Sequence, residues 1–357
     1  MRTAGRCFMS MRPPPEARSV FRDAPVSYPA HGICRCALLL CFFCSPPGCS
    51  CFSGDGPMQK KKKSAKSWRK ALTPYVWLLP SFTLMTVMVL LPILTVFYRS
   101  FQKFSKAGKI KGFIGAENFS QVLHSAKFSL VLRNTLVWTV LVVLISTILG
   151  IIIGMVLNSE FKGRKIARAI VVFPWATSLI IQASVWKFII NTDHGALNAL
   201  LMKLGLTKSA VNFTSSPEAW FAWEIWVGIF VTVPFVAFCV LSGLQSIDSG
   251  YYEAAAIDGG GFWQQTFYIT LPLIRPSLTV STVLNIIYVF NSFPIIWAMT
   301  KGDPASRTDT LVTYLYKLAF INGENGQAAA VSVISFLILC VVSAAYLAIS
   351  SGGGDES

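Results

Sequence analysis

Residues 251–277 read YYEAAAIDGGGFWQQTFYITLPLIRPS, a stretch that interrupts a chain otherwise dominated by long apolar runs. It sets Glu253 and Asp258 around a run of alanines, follows them with Gly259, Gly260 and Gly261, and ends in Ile269-x-Leu271-Pro272. Alanine favours helix with little bulk, and glycine takes the positive φ that ends a helix and turns the chain. The stretch therefore predicts two short helices joined by a sharp turn, the second limited by Pro272 and Pro276. Glycines in a row also raise the question of a phosphate cradle. Such a loop needs Gly-x4-Gly-Lys-[Ser/Thr], and here Phe262 and Trp263 follow the glycines, so the sequence holds no P-loop.

On either side of this stretch the residues suit lipid. Hydrophobic residues make up 54% of the 357-residue chain and charged residues 13%. Crossing the hydrocarbon core takes roughly 20 apolar residues per helix, and a backbone without water must close its own hydrogen bonds. Runs at 75–97, 130–158, 166–190, 221–244, 278–299 and 327–350 meet this requirement. The expected fold is an all-α membrane protein of about six transmembrane helices, a span of roughly 20 residues each. Gly150 and Gly154 stand one turn apart in the second run, marking a face where another helix backbone approaches closely. The polar stretch 99–128 reads as a loop with a short helix.

The formal charge of +15 is spread over short juxtamembrane runs, not one amphipathic face with interleaved aromatics, so membrane lipid is the expected partner and nucleic acid is not. The run KKKKSAKSWRK at 60–70 precedes the first span and places it on the cytoplasmic side by the positive-inside bias. An even number of spans then puts both termini in the cytoplasm. Lys162, Arg164, Lys165 and Arg168 agree with this orientation, whereas Lys103, Lys106, Lys109 and Lys111 in the first outward loop oppose it.

Residues 1–57 are a different kind of sequence, rich in Pro, Arg and Cys, with an apolar run too short to span. Cys34-x-Cys36 and Cys49-x-Cys51 lack the spacing of structural zinc ligands. The expectation is that 1–57 is a non-native or disordered extension and that translation starts at Met58, followed by a basic cytoplasmic segment at 58–74, a transmembrane domain at 75–350 with its cytoplasmic loop at 245–277, and a tail at 351–357. His31, His124 and His194 are isolated, which leaves no metal site in the pattern. Asp193 and His194 are adjacent, and read as a hydrated loop rather than an acid/base pair. Lys187 and Glu224 fall near run ends, where long side chains snorkel to the interface. An ion-coupled carrier commonly keeps carboxylates or histidines at membrane depth, and these runs lack them.

In the fifth run Ser281, Asn285, Tyr288 and Ser292 recur at helical spacing, and a polar stripe at membrane depth faces protein or water. Two readings stand: a pathway lining that exchanges hydrogen bonds with a polyhydroxylated solute, or bonds between helices. Ser178 and Gln182 in the third run form a second such pair. On the pathway reading, Asn285→Leu lowers transport without preventing assembly.

The spacing Glu253-Ala254-Ala255-x3-Gly259-x9-Ile269-x-Leu271-Pro272 resembles the EAA motif, E-A-A-x3-G-x9-I-x-L-P, of permease subunits in binding-protein-dependent ABC importers. Further stretches carry the likeness: LLPSFTLMTVMVLLPILTVFYRSF, FIGAENF, VVFPWATSLIIQASVWKFIINTDHGALNALL and WAMTKGDPASRTDTLVTYLYKLAF. They look closest to the maltose and glycerol-3-phosphate importer group. The resemblance implies a type I importer permease fold in the bacterial inner membrane and uptake of a carbohydrate or related polyol. It also implies a second, non-identical permease, an ABC ATPase dimer and an extracytoplasmic solute-binding protein as partners. No cofactor is implied for this chain; ATP and Mg belong to the ATPase. Glu253, Ala254, Ala255, Asp258, Gly259, Ile269, Leu271 and Pro272 would couple to the ATPase, with Glu253 either bonding to that partner or capping its own helix. Two rival functions are an ion-coupled secondary carrier and a membrane scaffold docking a soluble partner.

Overall fold

The computed structural model describes residues 66–105 and 108–351; the expectations for 1–57, for the start of 58–74 and for the tail beyond 351 lie outside them. From Trp68 the chain forms one unit. The first span is α1 (Lys66–Met85) and α2 (Leu91–Ser100), joined by a π turn at Thr86–Leu90. That turn stands immediately before Pro92, which supplies no N–H and crowds the carbonyl one turn back; widening the ladder there keeps the span continuous. An antiparallel hairpin follows, β1 (Gln102–Phe104) with β2 (Ile110–Phe113), then α3 (Glu117–Leu123). The strands are a departure from the expected loop, and Asn118 anchors them by donating to the carbonyls of Ser100 and Gln102 at 2.8 and 3.0 Å.

The second span, α4 (Ala126–Asn158), packs along α8 (Pro217–Gln245), which is the fourth. Their contact is set by glycine: a Cβ on Gly150 would lie 2.5 Å from Val236 Cγ1, and one on Gly154 would lie 2.7 Å from Val240 Cγ1. In return α4 sends Trp138 against Gly228 of α8. Without a hydrophobic driving force between helices in lipid, such close backbone approach is what holds them together.

The third run does not form one helix. It breaks into α5 (Arg164–Ala176) and α6 (Leu179–Ile189), which meet at 97°. The bend falls at Thr177 and Ser178, where the backbone turns extended, just beyond Pro174. After α7 (Ala196–Lys203) and α8, a helical hairpin is built from α9 (Ser249–Ile257) and α10 (Phe262–Gln265). A π turn at Thr266–Thr270 and α11 (Leu271–Leu273) lead directly into α12 (Arg275–Phe290). The expected stop at Pro272 and Pro276 is thus corrected: each proline occupies a first-turn position of its segment, where no N–H is required. The fifth run breaks in turn between α12 and α13 (Pro294–Met299), and the α12 end is satisfied when Trp138 Nε1 donates to the Val289 carbonyl at 2.9 Å. The chain closes with α14 (Leu311–Tyr316) and α15 (Asn325–Ser351).

Among the described residues, five helices are long and apolar enough to cross a membrane, and the bent pair α5–α6 makes up to six. Met155 and Asn158 of α4 line one cleft with Tyr252 and Phe262, so the hairpin lies at the C-terminal end of α4. Thr279 near the start of α12 bonds Ser350 near the end of α15, which brings the last span back to the same end. The opposite end is closed by the segment 300–317, bolted to α4 where Asn134 donates to the Arg307 carbonyl at 2.8 Å and Thr135 accepts from Leu311 N–H at 2.9 Å.

Candidate functional site

The hairpin at 249–273 is closed by its own hydrogen bonds. Gly259 has φ +78°, and two bonds close the end of α9: Gly260 N–H to the Ala255 carbonyl at 2.8 Å and Gly259 N–H to the Ala256 carbonyl at 3.2 Å. This paired pattern satisfies the orphan carbonyls and needs a left-handed residue at its pivot. Gln264 then accepts from Gly261 N–H at 2.8 Å to start α10, and Tyr252 bonds Thr270 at 3.1 Å to tie the two arms together.

Glu253 lies a full turn inside α9 and is exposed, so it caps neither its own helix nor a neighbour among the described residues. Asp258 is the exposed C-cap residue; Ala254 is exposed and Ala255 half-buried. Leu271 points the other way. It packs with Leu244 and Ile274 in the apolar cluster of its own bundle, beside half-buried Ile269 and exposed Pro272. The eight motif residues therefore divide into an outward set on α9 and an inward anchor near Leu271. The spacing pattern did not mark the side chains that dominate the free surface: Tyr251, Ile257, Phe262, Trp263 and Tyr268, with Ile257 87% and Tyr268 81% exposed. These apolar side chains stand exposed on the hairpin that carries Glu253 and Asp258, beyond the ends of the spans, and exposed apolar surface of this kind is characteristic of interaction sites.

The stripe on α12 divides. Ser281, Asn285 and Ser292 are buried, and Asn285 donates to Ser146 Oγ of α4 at 2.9 Å, so these residues face other helices. Tyr288 alone lies on the open face, with Leu284, Ile287 and Asn291. The Gln182 amide donates to the Pro174 carbonyl and to Thr177 Oγ1, stapling the two sides of the bend, while Ser178 stays exposed. A bond between membrane helices contributes about 0.6 kcal/mol on average. Asn285→Ala and Ser146→Ala are accordingly expected to lower the thermal stability of the purified chain by similar small amounts, with the double variant no worse than either. A loss confined to Asn285→Ala and seen only in KM would instead indicate solute contact.

Glu224 does not snorkel. It is fully buried, accepts from Thr300 Oγ1 at 2.6 Å, and Thr300 bonds Thr308 at 2.7 Å. Beside it Asp309, also fully buried, accepts from Thr313 at 2.9 Å and pairs with Lys317 at 2.8 Å. This network locks segment 300–317 across the end opposite the hairpin. Lys187 is exposed, its Nζ 6.0 Å from the Trp220 ring centroid. Among the described residues no group of His, Cys, Asp and Glu could hold a metal ion.

Apolar spans, a bent third span and a hairpin presenting apolar side chains at one end define a multi-pass membrane protein. Residues 146–351 match the family described as binding-protein-dependent transport system inner membrane component. A probable ABC transporter permease protein of Brucella suis is 43% identical over 278 residues, covering 78% of this chain and 96% of that one. The trehalose/maltose transport system permease protein MalF of Thermococcus litoralis is 32% identical over 290 residues, covering 81% and 97%. A solved bacterial ABC transporter involved in importing the acidic polysaccharide alginate superimposes with a TM-score of 0.71 at 24% identity, covering 80% of this chain and 97% of its counterpart. The chain belongs to the binding-protein-dependent transport system inner membrane component family, and is a permease subunit of an ABC importer.

Proposed function

We propose that this chain forms, with a second and non-identical permease, the pathway by which a sugar, an oligosaccharide or a related polyol enters a bacterial cell. The hairpin 249–273 lies in the cytoplasm and seats in a groove of an ABC ATPase, which binds ATP and Mg and does the hydrolysis. A solute-binding protein delivers cargo at the opposite end. The observation that carries this reading is the free apolar surface of Tyr251, Ile257, Phe262, Trp263 and Tyr268 on a hairpin whose own fold is already satisfied. The carbohydrate class follows from the relatives' names, among them a trehalose/maltose system and a diacetylchitobiose uptake system. Tyr288 and Asn291 on the open face of α12 and Ser178 at the bend are the polar side chains positioned to line the path.

The test is uptake into proteoliposomes carrying both permeases, with and without the ATPase. Transport of a labelled oligosaccharide is expected only with the ATPase, ATP and the binding protein together. Uptake driven by an ion gradient alone would identify a secondary carrier, and ATPase docking without transport would identify a scaffold.

A further inference from the structure

Exposed apolar side chains run the length of α4, Leu136, Val140, Leu144, Ile148, Ile152 and Val156 forming an i+4 row that winds about half a turn around the helix. At 1.5 Å per residue this band is about 30 Å long, the thickness of a bilayer's hydrocarbon core. Arg133 stands just before the band and is exposed, about 5 Å beyond it along the helix. A hydrocarbon core matched to this row would set Arg133 at the level of the headgroups, at the end opposite the hairpin. Arg133 has no hydrogen bond or ion pair among the described residues.

Arg133 shares a cleft of about 670 Å³ with Arg307 and Glu218, and Leu130, Val137 and Phe221 supply its apolar wall. Glu218 pairs with Arg307 at 3.5 Å, so two guanidinium groups face one carboxylate and the cleft keeps one net positive charge. Asn134, the remaining polar side chain of the lining, is committed to the carbonyls of Arg307 and Asp309; it fixes the position of Arg307 and offers nothing to a ligand.

We propose that this cleft binds the phosphodiester of a phospholipid in the leaflet opposite the hairpin, its acyl chain lying along the α4 band. A phosphodiester carries the single negative charge the cleft lacks, and guanidinium presents the forked donors that phosphate accepts. The continuity of Arg133 with an apolar band of bilayer thickness favours lipid over a carboxylate of a soluble protein.

The test uses the full chain purified in detergent and native mass spectrometry with dioleoyl phosphatidylglycerol, dioleoylglycerol and inorganic phosphate as probes. Wild type is expected to hold one more phosphatidylglycerol than Arg133→Gln/Arg307→Gln, with occupancy of that tight site about tenfold lower in the double variant. Glu218→Gln, which removes the competing carboxylate, is expected to hold the lipid more firmly, a gain that mere loosening of the fold would not give. Equal retention in the double variant, or weaker retention in Glu218→Gln, would overturn the proposal. So would displacement by dioleoylglycerol, which lacks the phosphate, or by inorganic phosphate, which would mean a free-anion site. Loss of binding-protein capture in the double variant with its lipid retained would make the cleft a protein dock instead.

Discussion

Gly154→Leu is expected to reduce the amount of folded permease recovered from membranes to less than about a tenth of wild type, because overpacking costs about 1–3 kcal/mol even for a few added methylenes. Here the added group meets atoms that cannot rotate away. The nearest neighbours of a Cβ at Gly154 are Val240 Cγ1 at 2.7 Å, Val240 Cβ at 2.9 Å and the Ala237 carbonyl oxygen at 3.1 Å. Gly150 is equally closed, with Val236 Cβ at 2.7 Å. Relief requires α4 and α8 to separate, and that separation also draws Trp138 off Gly228 and off the Val289 carbonyl that ends α12. One leucine thus loosens three spans against a total stability of only about 5–15 kcal/mol. The readout is the monodisperse peak in size-exclusion chromatography after detergent extraction. Gly261→Ala is the matched control: no atom lies within 4 Å of its Cβ, and its φ of −75° suits any residue. It should be recovered like wild type. Normal recovery of Gly154→Leu would contradict the packing described for α4 and α8.

Ile257→Asp with Trp263→Asp is expected to leave the bundle folded and weaken capture of the ATPase at least about a hundredfold, since truncating an interface anchor commonly costs 2 kcal/mol or more. The reasoning rests on where the two side chains point. Ile257 is 87% and Trp263 69% exposed, so charge there costs the isolated chain little. At a dry interface the same charges are buried without partners. The paired bonds at Gly259 and Gly260 and the Tyr252–Thr270 bond involve neither of these side chains and remain intact. Uptake should fall with capture, while the chain's thermal unfolding midpoint stays unchanged. Capture at wild-type strength would remove this surface from the docking interface.

The spans were legible because length and apolarity alone decide whether a helix crosses lipid, and the hairpin because its alanines and Gly259 specify a helix and its stop locally. What escaped depended on contacts distant in sequence. Glu224 looked like a residue at a run's end, free to reach water; Thr300, 76 positions on, folds over it. Asn285 carried the signal of a polar residue at membrane depth, which is the same whether it meets a solute or Ser146 across the helix pair. The third run read as a single span; its bend is stapled by Gln182, which reaches back to Thr177 and the Pro174 carbonyl. The strands at 102–113 lie in a lysine-bearing stretch without alternating apolar residues; Asn118 holds them from outside the pattern. The exposed apolar side chains of the hairpin were invisible for a related reason: spacing identifies the motif that builds the hairpin, whereas Tyr251, Ile257 and Tyr268 are recognised only once the fold leaves them uncovered.

The most direct measurement is photo-crosslinking from a reactive amino acid placed at Ile257 in the full importer. The expected result is a covalent adduct with the ATPase subunit, absent when the same probe stands at Leu284 on the open face of α12. An adduct only with lipid or with the permease chains, in an importer whose ATPase co-purifies, would contradict the docking role of the hairpin.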